Sequence, residues 1–331
     1  MGKLGEFYRL LRDGFPVNRP LWPWERDGQL PQGKPSPVPV AWPQLSVVRM
    51  DSTYLECVDS GFLRKGFVTV MCLVFLYILG MPSSYIIPDI IQKWHEISLE
   101  MILAGSFMIL ITIPFIFFFI LLLRQECFTY THFPMRFNRN TRMVHAFLDN
   151  KKREIVSIPW DKAFFTSSTF TGESSQFIVY AHKLTEDGKM VLATFQLSQQ
   201  SEDDSEYRFL QWEFVRQYME GDDKKVAELA NMVEEVMGVG GRRETLYESF
   251  RQAWAAFAGP HLHLFIIASP LILLTTLGRQ IAMWTSKIPR WPEEIEATCQ
   301  IAPDDPNLRD DKHLAPYGTA KRPDVSRYAG R

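Results

Sequence analysis

Across 331 residues, the groups able to do chemistry are thinly spread. Gly238-Val239-Gly240-Gly241-Arg242-Arg243 has the glycine density of a phosphate loop, but it follows a helical pattern rather than a strand and lacks the G-x-x-x-x-G-K-[ST] spacing. It reads as a helix C-cap and link, where glycine supplies the left-handed turn. His261 and His263 lie at the edge of an apolar run, and their i, i+2 spacing does not bring two ligands to one helical face. Ser167-Ser168 and Ser174-Ser175 sit in turn-like surroundings without a matched base, and neither G-x-S-x-G nor H-E-x-x-H occurs. Cys57, Cys72, Cys127 and Cys299 are far apart, which argues for reduced thiols and against a zinc site or a disulfide scaffold. The expectation is no catalytic residue, no metal and no cofactor.

One basic constellation stands out. Arg136, Arg139 and Arg142 follow closely on an apolar run, with Lys151, Lys152 and Arg153 across the next hairpin. Near a charged leaflet each such residue contributes about 1 kcal/mol of attraction to anionic lipid headgroups. The same charges also fix membrane orientation and solvate two turns, so both roles stay open. Net charge is -2, from 36 Lys+Arg against 38 Asp+Glu, which offers no bulk attraction for nucleic acid.

The elements around these residues are set by hydropathy. Met101 to Leu123 contains no charged residue, and its length as a helix is about 35 Å, against about 30 Å for a bilayer core. Gly66 to Met81 is a second, shorter apolar run, and the two predict a transmembrane helical hairpin over 64–123. The linker from Pro82 to Glu100 carries only Lys93 as a fixed positive charge, whereas Lys and Arg are abundant on both flanks. The positive-inside rule then keeps the N-terminus and the central domain cytoplasmic and the linker outside. A third apolar segment, 261–284, contains Pro270 and Arg279. A full span is favoured, with Arg279 snorkelling towards the headgroups and 285–331 outside; a bent or re-entrant segment would leave that tail inside.

Residues 1–63 form a proline-rich N-terminal arm with Trp22, Trp24 and Trp42, expected to be extended because proline disfavours helix and sheet ladders. From 124 to 260 the chain reads as a β-rich and then helical domain. Strands are predicted at Phe128–Pro134, Met143–Leu148, Glu154–Trp160, Phe164–Phe170, Gln176–Leu184 and Met190–Leu197. The period then changes: Phe209, Trp212, Val215 and Met219 define one face of a helix over Asp204–Glu220, with further helices at Lys224–Met237 and Glu244–Ala258. The fold class is therefore α+β: a hairpin of membrane helices, a cytoplasmic antiparallel β-sandwich capped by helices in a pleckstrin-homology-like outline, and a third apolar helix. The polar tail 285–331 is expected to be poorly ordered.

Met50-Asp51-Ser52-Thr53-Tyr54-Leu55-Glu56, Thr131 to Arg139, Ile158-Pro159-Trp160-Asp161, Trp212 to Glu220, Gly241-Arg242-Arg243-Glu244 and Thr285 to Pro292 together resemble an uncharacterised family of proteobacterial inner-membrane proteins, over roughly residues 45–305. Members of that family are often encoded beside type VI secretion spike and effector genes. The resemblance implies a non-enzymatic immunity or accessory protein that binds a secreted effector or secretion component, in the bilayer of the bacterial inner membrane; it brings no known catalytic residues. Two other readings compete, a membrane-perturbing effector and a membrane-bound enzyme acting on lipid through His261, His263 or Arg279.

Overall fold

The computed structural model describes residues 16–59, 61–92, 98–148, 154–170, 176–197, 208–257 and 262–312. In chain order the elements are β1 (Arg19–Pro20), α1 (Pro23–Asp27), β2 (Val47–Met50), β3 (Tyr54–Cys57), α2 (Phe67–Gln92), α3 (Leu99–Glu126), β4 (Met135–Asn138), β5 (Met143–Phe147) and β6 (Ile155–Pro159). They continue with β7 (Ala163–Phe170), β8 (Gln176–Leu184), β9 (Met190–Gln196), α4 (Arg208–Glu220), α5 (Asp223–Met232), α6 (Leu246–Phe257), α7 (Leu262–Thr285) and α8 (Glu293–Thr298). The five consecutive segments of the sequence are gathered into two compact units. One comprises Met1–Phe62, His132–Arg243 and Ile288–Arg331; the other comprises Leu63–Thr131 and Glu244–Lys287.

The first unit holds two antiparallel sheets, ordered β1-β9-β8-β7 and β2-β3-β4-β5-β6. Alternation assigns the faces. Leu55, Phe137, Val144 and Ile158 are directly opposite one another on successive strands of the five-stranded sheet, and Phe165, Ala181 and Phe195 do the same in the other. All of them enter one core. Helix α4 closes it, as its apolar spacing predicts: Trp212 is buried, 4.4 Å from Phe165 and 5.8 Å from Trp160 between ring centroids. The Tyr218 hydroxyl, from the same helix, donates to the Asp51 carbonyl at 2.8 Å.

Several expectations change. The strand predicted at Phe128–Pro134 lies instead at 135–138; Phe128 has a positive φ of 61°, which interrupts an extended run. The N-terminal arm is less open than its prolines suggest, because they occupy positions that tolerate them. Pro20 lies on the edge strand β1, and Pro23 opens α1, where a missing N–H costs nothing. The same segment supplies β2 and β3. The tail expected to be poorly ordered forms α8 and a backbone pair between Met50 and Arg309; residues beyond 312 lie outside the described residues.

The second unit contains α2, α3, α6 and α7. Within α3, Gly105–Glu126 is long and apolar enough to cross a membrane, and Phe67–Met81 in α2 is a shorter apolar stretch. Polarity in this unit is reversed. In α6, Glu248, Ser249 and Gln252 are buried while Leu246 and Tyr247 are exposed; in α7, Thr275, Thr276, Arg279 and Gln280 are buried while Leu273, Leu274, Leu277 and Trp284 are exposed. A helix at a water-facing surface shows the opposite arrangement.

Candidate functional site

On the five-stranded sheet, the residues that alternate with the core-facing set form a polar row. Glu56 of β3 is opposite Arg136 of β4, Arg136 is opposite His145 of β5, and His145 is opposite Ser157 of β6. Arg136 is buried, with its Nε 2.5 Å from Glu56 Oε2 and its Nη2 3.0 Å from Glu296 Oε1 of α8. Its guanidinium carbon lies 4.7 Å from the Tyr54 ring centroid and 4.8 Å from that of Trp291, and the Trp291 indole donates to Glu56 at 3.2 Å. Burial opposes the Arg136 charge, but Glu56 and its other partners outweigh it and hold the cation more firmly than usual. His145 Nδ1 is 2.8 Å from the Ser157 hydroxyl; burial, and then the Arg136 charge, push its pKa down to about 4. The residues from Trp291 onward thus act as a strap over this face.

A second polar cluster occupies the other sheet. His182 of β8 is opposite Thr194 of β9, with Nδ1 2.8 Å from the threonine hydroxyl and Nε2 3.2 Å from Glu25 Oε1. Glu25 comes from α1 and takes both guanidinium arms of Arg19, at 2.8 and 2.6 Å, together with the Trp22 backbone N–H. Burial pushes the Glu25 carboxyl up, yet the hydrogen bonds from Arg19 and the Trp22 N–H, with His182 close by, prevail and hold it at about 2. Arg19 also stacks on Trp22, 3.4 Å from its ring centroid. The order carboxylate, imidazole, hydroxyl resembles a proton relay; Glu25, His182 and Thr194 are all buried, and the Glu25–His182 approach links α1 to its sheet.

The helical unit encloses charges of its own. Arg279 forks onto Glu244, with Nε to Oε2 at 2.6 Å and Nη2 to Oε1 at 2.7 Å. The Glu126 carboxylate accepts from the backbone N–H groups of Gly66 and Thr69 at the start of α2, at 3.0 and 2.8 Å, where the helix dipole favours an anion.

The basic constellation is dispersed among partners. Arg136 is buried as described; Arg139 pairs with Asp223 and with the Gly221 carbonyl, and Arg142 with Asp161 and the Met219 carbonyl. Lys151, Lys152, Arg153, His261, Ser174 and Ser175 lie outside the described residues, as does the side chain of His263. Gly241 has a φ of +77°, consistent with a turn, and Arg242 pairs with Asp311 rather than marking a phosphate loop. Among the described residues, no group of three or more His, Cys, Asp and Glu side chains is gathered as a metal site. Glu25, Glu56, His145 and His182 carry no site role in the sequence reading, and Trp291 enters it only as part of the Thr285–Pro292 motif. A partial signal exists in the Trp-Pro steps: two of the three, Trp22-Pro23 and Trp291-Pro292, lead into a short helix with acidic residues in its first turn, whereas Trp42-Pro43 leads into a single 3-10 turn.

Two antiparallel sheets closed by a helix, joined to a helical unit in which one helix among the described residues is both long and apolar enough to cross a membrane, define an α+β protein of mixed polarity. The model of the family of unknown function DUF6708 matches residues 112–303, and the chain belongs to that family. No curated protein and no solved structure matches it.

Proposed function

We propose that this chain is an integral protein of the bacterial inner membrane that acts by binding, without turnover, as an immunity or accessory factor for a type VI secretion effector. The observation carrying this reading is the reversed polarity of the helical unit. Leu273, Leu277, Trp284, Phe107 and Leu110 are exposed while Arg279, Glu244 and Gln280 are buried. In water such an apolar surface invites association; in lipid it is satisfied, and the charges pair inside. The positive flanks of α2 and α3, with Lys93 between the helices, favour a cytoplasmic location for the N-terminus and the sheet unit. The polar clusters of the sheet unit support binding over turnover, since Glu25 and Arg136 are buried and spent on internal partners. The secretion link rests on the likeness of motifs such as Thr131–Arg139 and Thr285–Pro292 to inner-membrane proteins encoded beside effectors. Two sheets followed by α4 also suit a pleckstrin-homology-like outline. Among the described residues of the basic constellation, Arg142, with 41% of its side chain exposed against 8% for Arg136 and 19% for Arg139, has the most surface to offer an anionic headgroup.

The test is a competition experiment paired with an alkaline carbonate wash of membranes. Retention in the washed pellet is expected, together with sensitivity of a deletion strain that disappears when an adjoining effector gene is removed. Loss of effector delivery instead would assign the accessory role. Release by carbonate would remove the membrane reading, and harm to cells expressing the chain alone would favour an effector.

A further inference from the structure

The chain passes into or out of the helical unit at four points, next to residues 63, 131, 244 and 287. All four are tied together at one end of that unit. Lys65 Nζ donates to the Tyr130 carbonyl at 2.7 Å, and Glu126, at the end of α3, caps the start of α2. Thr131 N–H donates to the Lys287 carbonyl at 2.9 Å, and Lys287 N–H to that of Thr129 at 2.8 Å. Glu244, just before α6, is held by Arg279, whose Nη1 also donates to the Lys65 carbonyl at 3.2 Å. Contact here is close enough to need glycine: a Cβ at Gly278 would come within 2.5 Å of Val70 Cγ2 and 2.6 Å of the Gly66 carbonyl.

The starts of α2 and α6 and the ends of α3 and α7 therefore share one level. Phe67, Phe128, Tyr247 and Trp284 are exposed near these same helix ends, and tyrosine and tryptophan are residue types enriched where hydrocarbon meets headgroups. Helix α6 has 12 residues, about 18 Å, and is too short to cross a core of about 30 Å. A lone crossing by α7 would separate residues 244 and 287, yet Arg279 and Gln280 bind Glu244, Thr245 and Ser249 at the entry to α6.

We infer that 244–287 is a second, re-entrant membrane hairpin, entering and leaving through the same face as α2 and α3, so that everything before 63, between 132 and 243 and after 287 shares one side of the bilayer. This rests on the membrane reading proposed above. It replaces the full third span favoured by the sequence, which sends 285–331 to the far side. Independent support comes from the sheet unit, where residues after 288 pair with strands: Asn138 Nδ2 donates to the Thr298 carbonyl at 2.7 Å, and Met50 exchanges backbone hydrogen bonds with Arg309. The geometry also brings the Arg279–Glu244 pair towards the interface, where a buried charge is less costly than at the bilayer centre.

The experiment uses the full chain in oriented membrane vesicles and a membrane-impermeant maleimide. Background is low, because the four native cysteines are buried. Three exposed positions are replaced singly: Glu186→Cys in the β8–β9 turn, Gln300→Cys after α8, and Ser98→Cys before α3. The inference expects Glu186→Cys and Gln300→Cys to label from one face and Ser98→Cys from the other. Labelling of Gln300→Cys from the same face as Ser98→Cys would overturn it while leaving a membrane protein. Labelling of all three from one face, with release by carbonate, would overturn both the inference and the membrane reading beneath it.

Discussion

The two sheets carry the same device with opposite charge. Each has a buried histidine on the face turned from the core, with Nδ1 2.8 Å from a hydroxyl directly across the ladder, Ser157 for His145 and Thr194 for His182. Each is covered by a terminal segment that enters a short helix through Trp-Pro. His145 stands beside the Arg136 cation, whereas His182 faces the Glu25 carboxylate. In the N-terminal strap the arginine and the glutamate both belong to the strap, so the clasp is local. In the C-terminal strap Arg136 belongs to the sheet and takes Glu56 from a neighbouring strand and Glu296 from the strap. One backbone pairing thus tolerates either sign of charge, provided a counter-charge is supplied nearby.

The largest expected effect breaks that symmetry. Arg136→Met leaves Glu56 buried without its cation and should cost about 3–5 kcal/mol. Arg19→Met leaves Glu25 with His182 still in reach and should cost about 1–3 kcal/mol. Urea unfolding of the full chain in detergent, followed by tryptophan fluorescence, checks both. Equal losses would mean that the clasps do not differ as their origins imply.

Acid should separate the two clusters. Unfolded histidine takes a proton near 6.5, while His145 in the fold takes one only near 4, so the unfolded chain binds more protons between those values. Stability is therefore lost as pH falls from about 6.5 to about 4, by about 3 kcal/mol from this residue. For Glu25 the folded value of about 2 lies below the usual 4.5, so its contribution is complete above 4.5 and lost as pH falls towards 2. Asp51 works the other way: burial lifts its pKa from 3.8 to about 6 against the N–H groups of Tyr54 and Thr53, and it disfavours the fold as pH rises through that range. Subtracting the pH profile of His145→Gln from that of the parent isolates the first effect. A difference that is flat between pH 4 and 6.5 would show that burial and the Arg136 charge do not keep His145 from taking its proton.

What the sequence discloses follows the range of the forces involved. Gln176–Leu184 was legible because alternation is local, and Trp212 because its helical face is written within a few turns. Strands β2 and β3, which follow the prolines that end at Pro43, are not legible on their own, since β3 is completed by β4, on the far side of α2 and α3 in the chain. Arg136 was legible as a charge and illegible as a clasp, because Glu56, Trp291 and Glu296 are remote in sequence. Arg279 likewise suggests snorkelling from sequence alone, because its partner Glu244 is 35 residues away in the chain. Short-range periodicity was readable; pairings across the chain became visible only in three dimensions.

The smallest expected effect reaches the proton itself. With the ring hydrogen on Nε2, 3.2 Å from the Glu25 carboxylate, Nδ1 of His182 accepts from the Thr194 hydroxyl. Thr194→Val removes that donor within a buried site, so about 1–2 kcal/mol should be lost while the Nε2–H tautomer persists, because Glu25 still demands it. At His145 no carboxylate dictates the tautomer, and Ser157 is only half-buried, so Ser157→Ala should cost less, about 0.5–1 kcal/mol, with water replacing the hydroxyl. Nitrogen-15 shifts of the two rings distinguish the cases. The His182 pattern should survive Thr194→Val, and the His145 pattern should move with Ser157→Ala. If His182 changed tautomer on losing Thr194, the hydroxyl rather than Glu25 would set its proton, and the two histidines would differ less than their neighbours suggest.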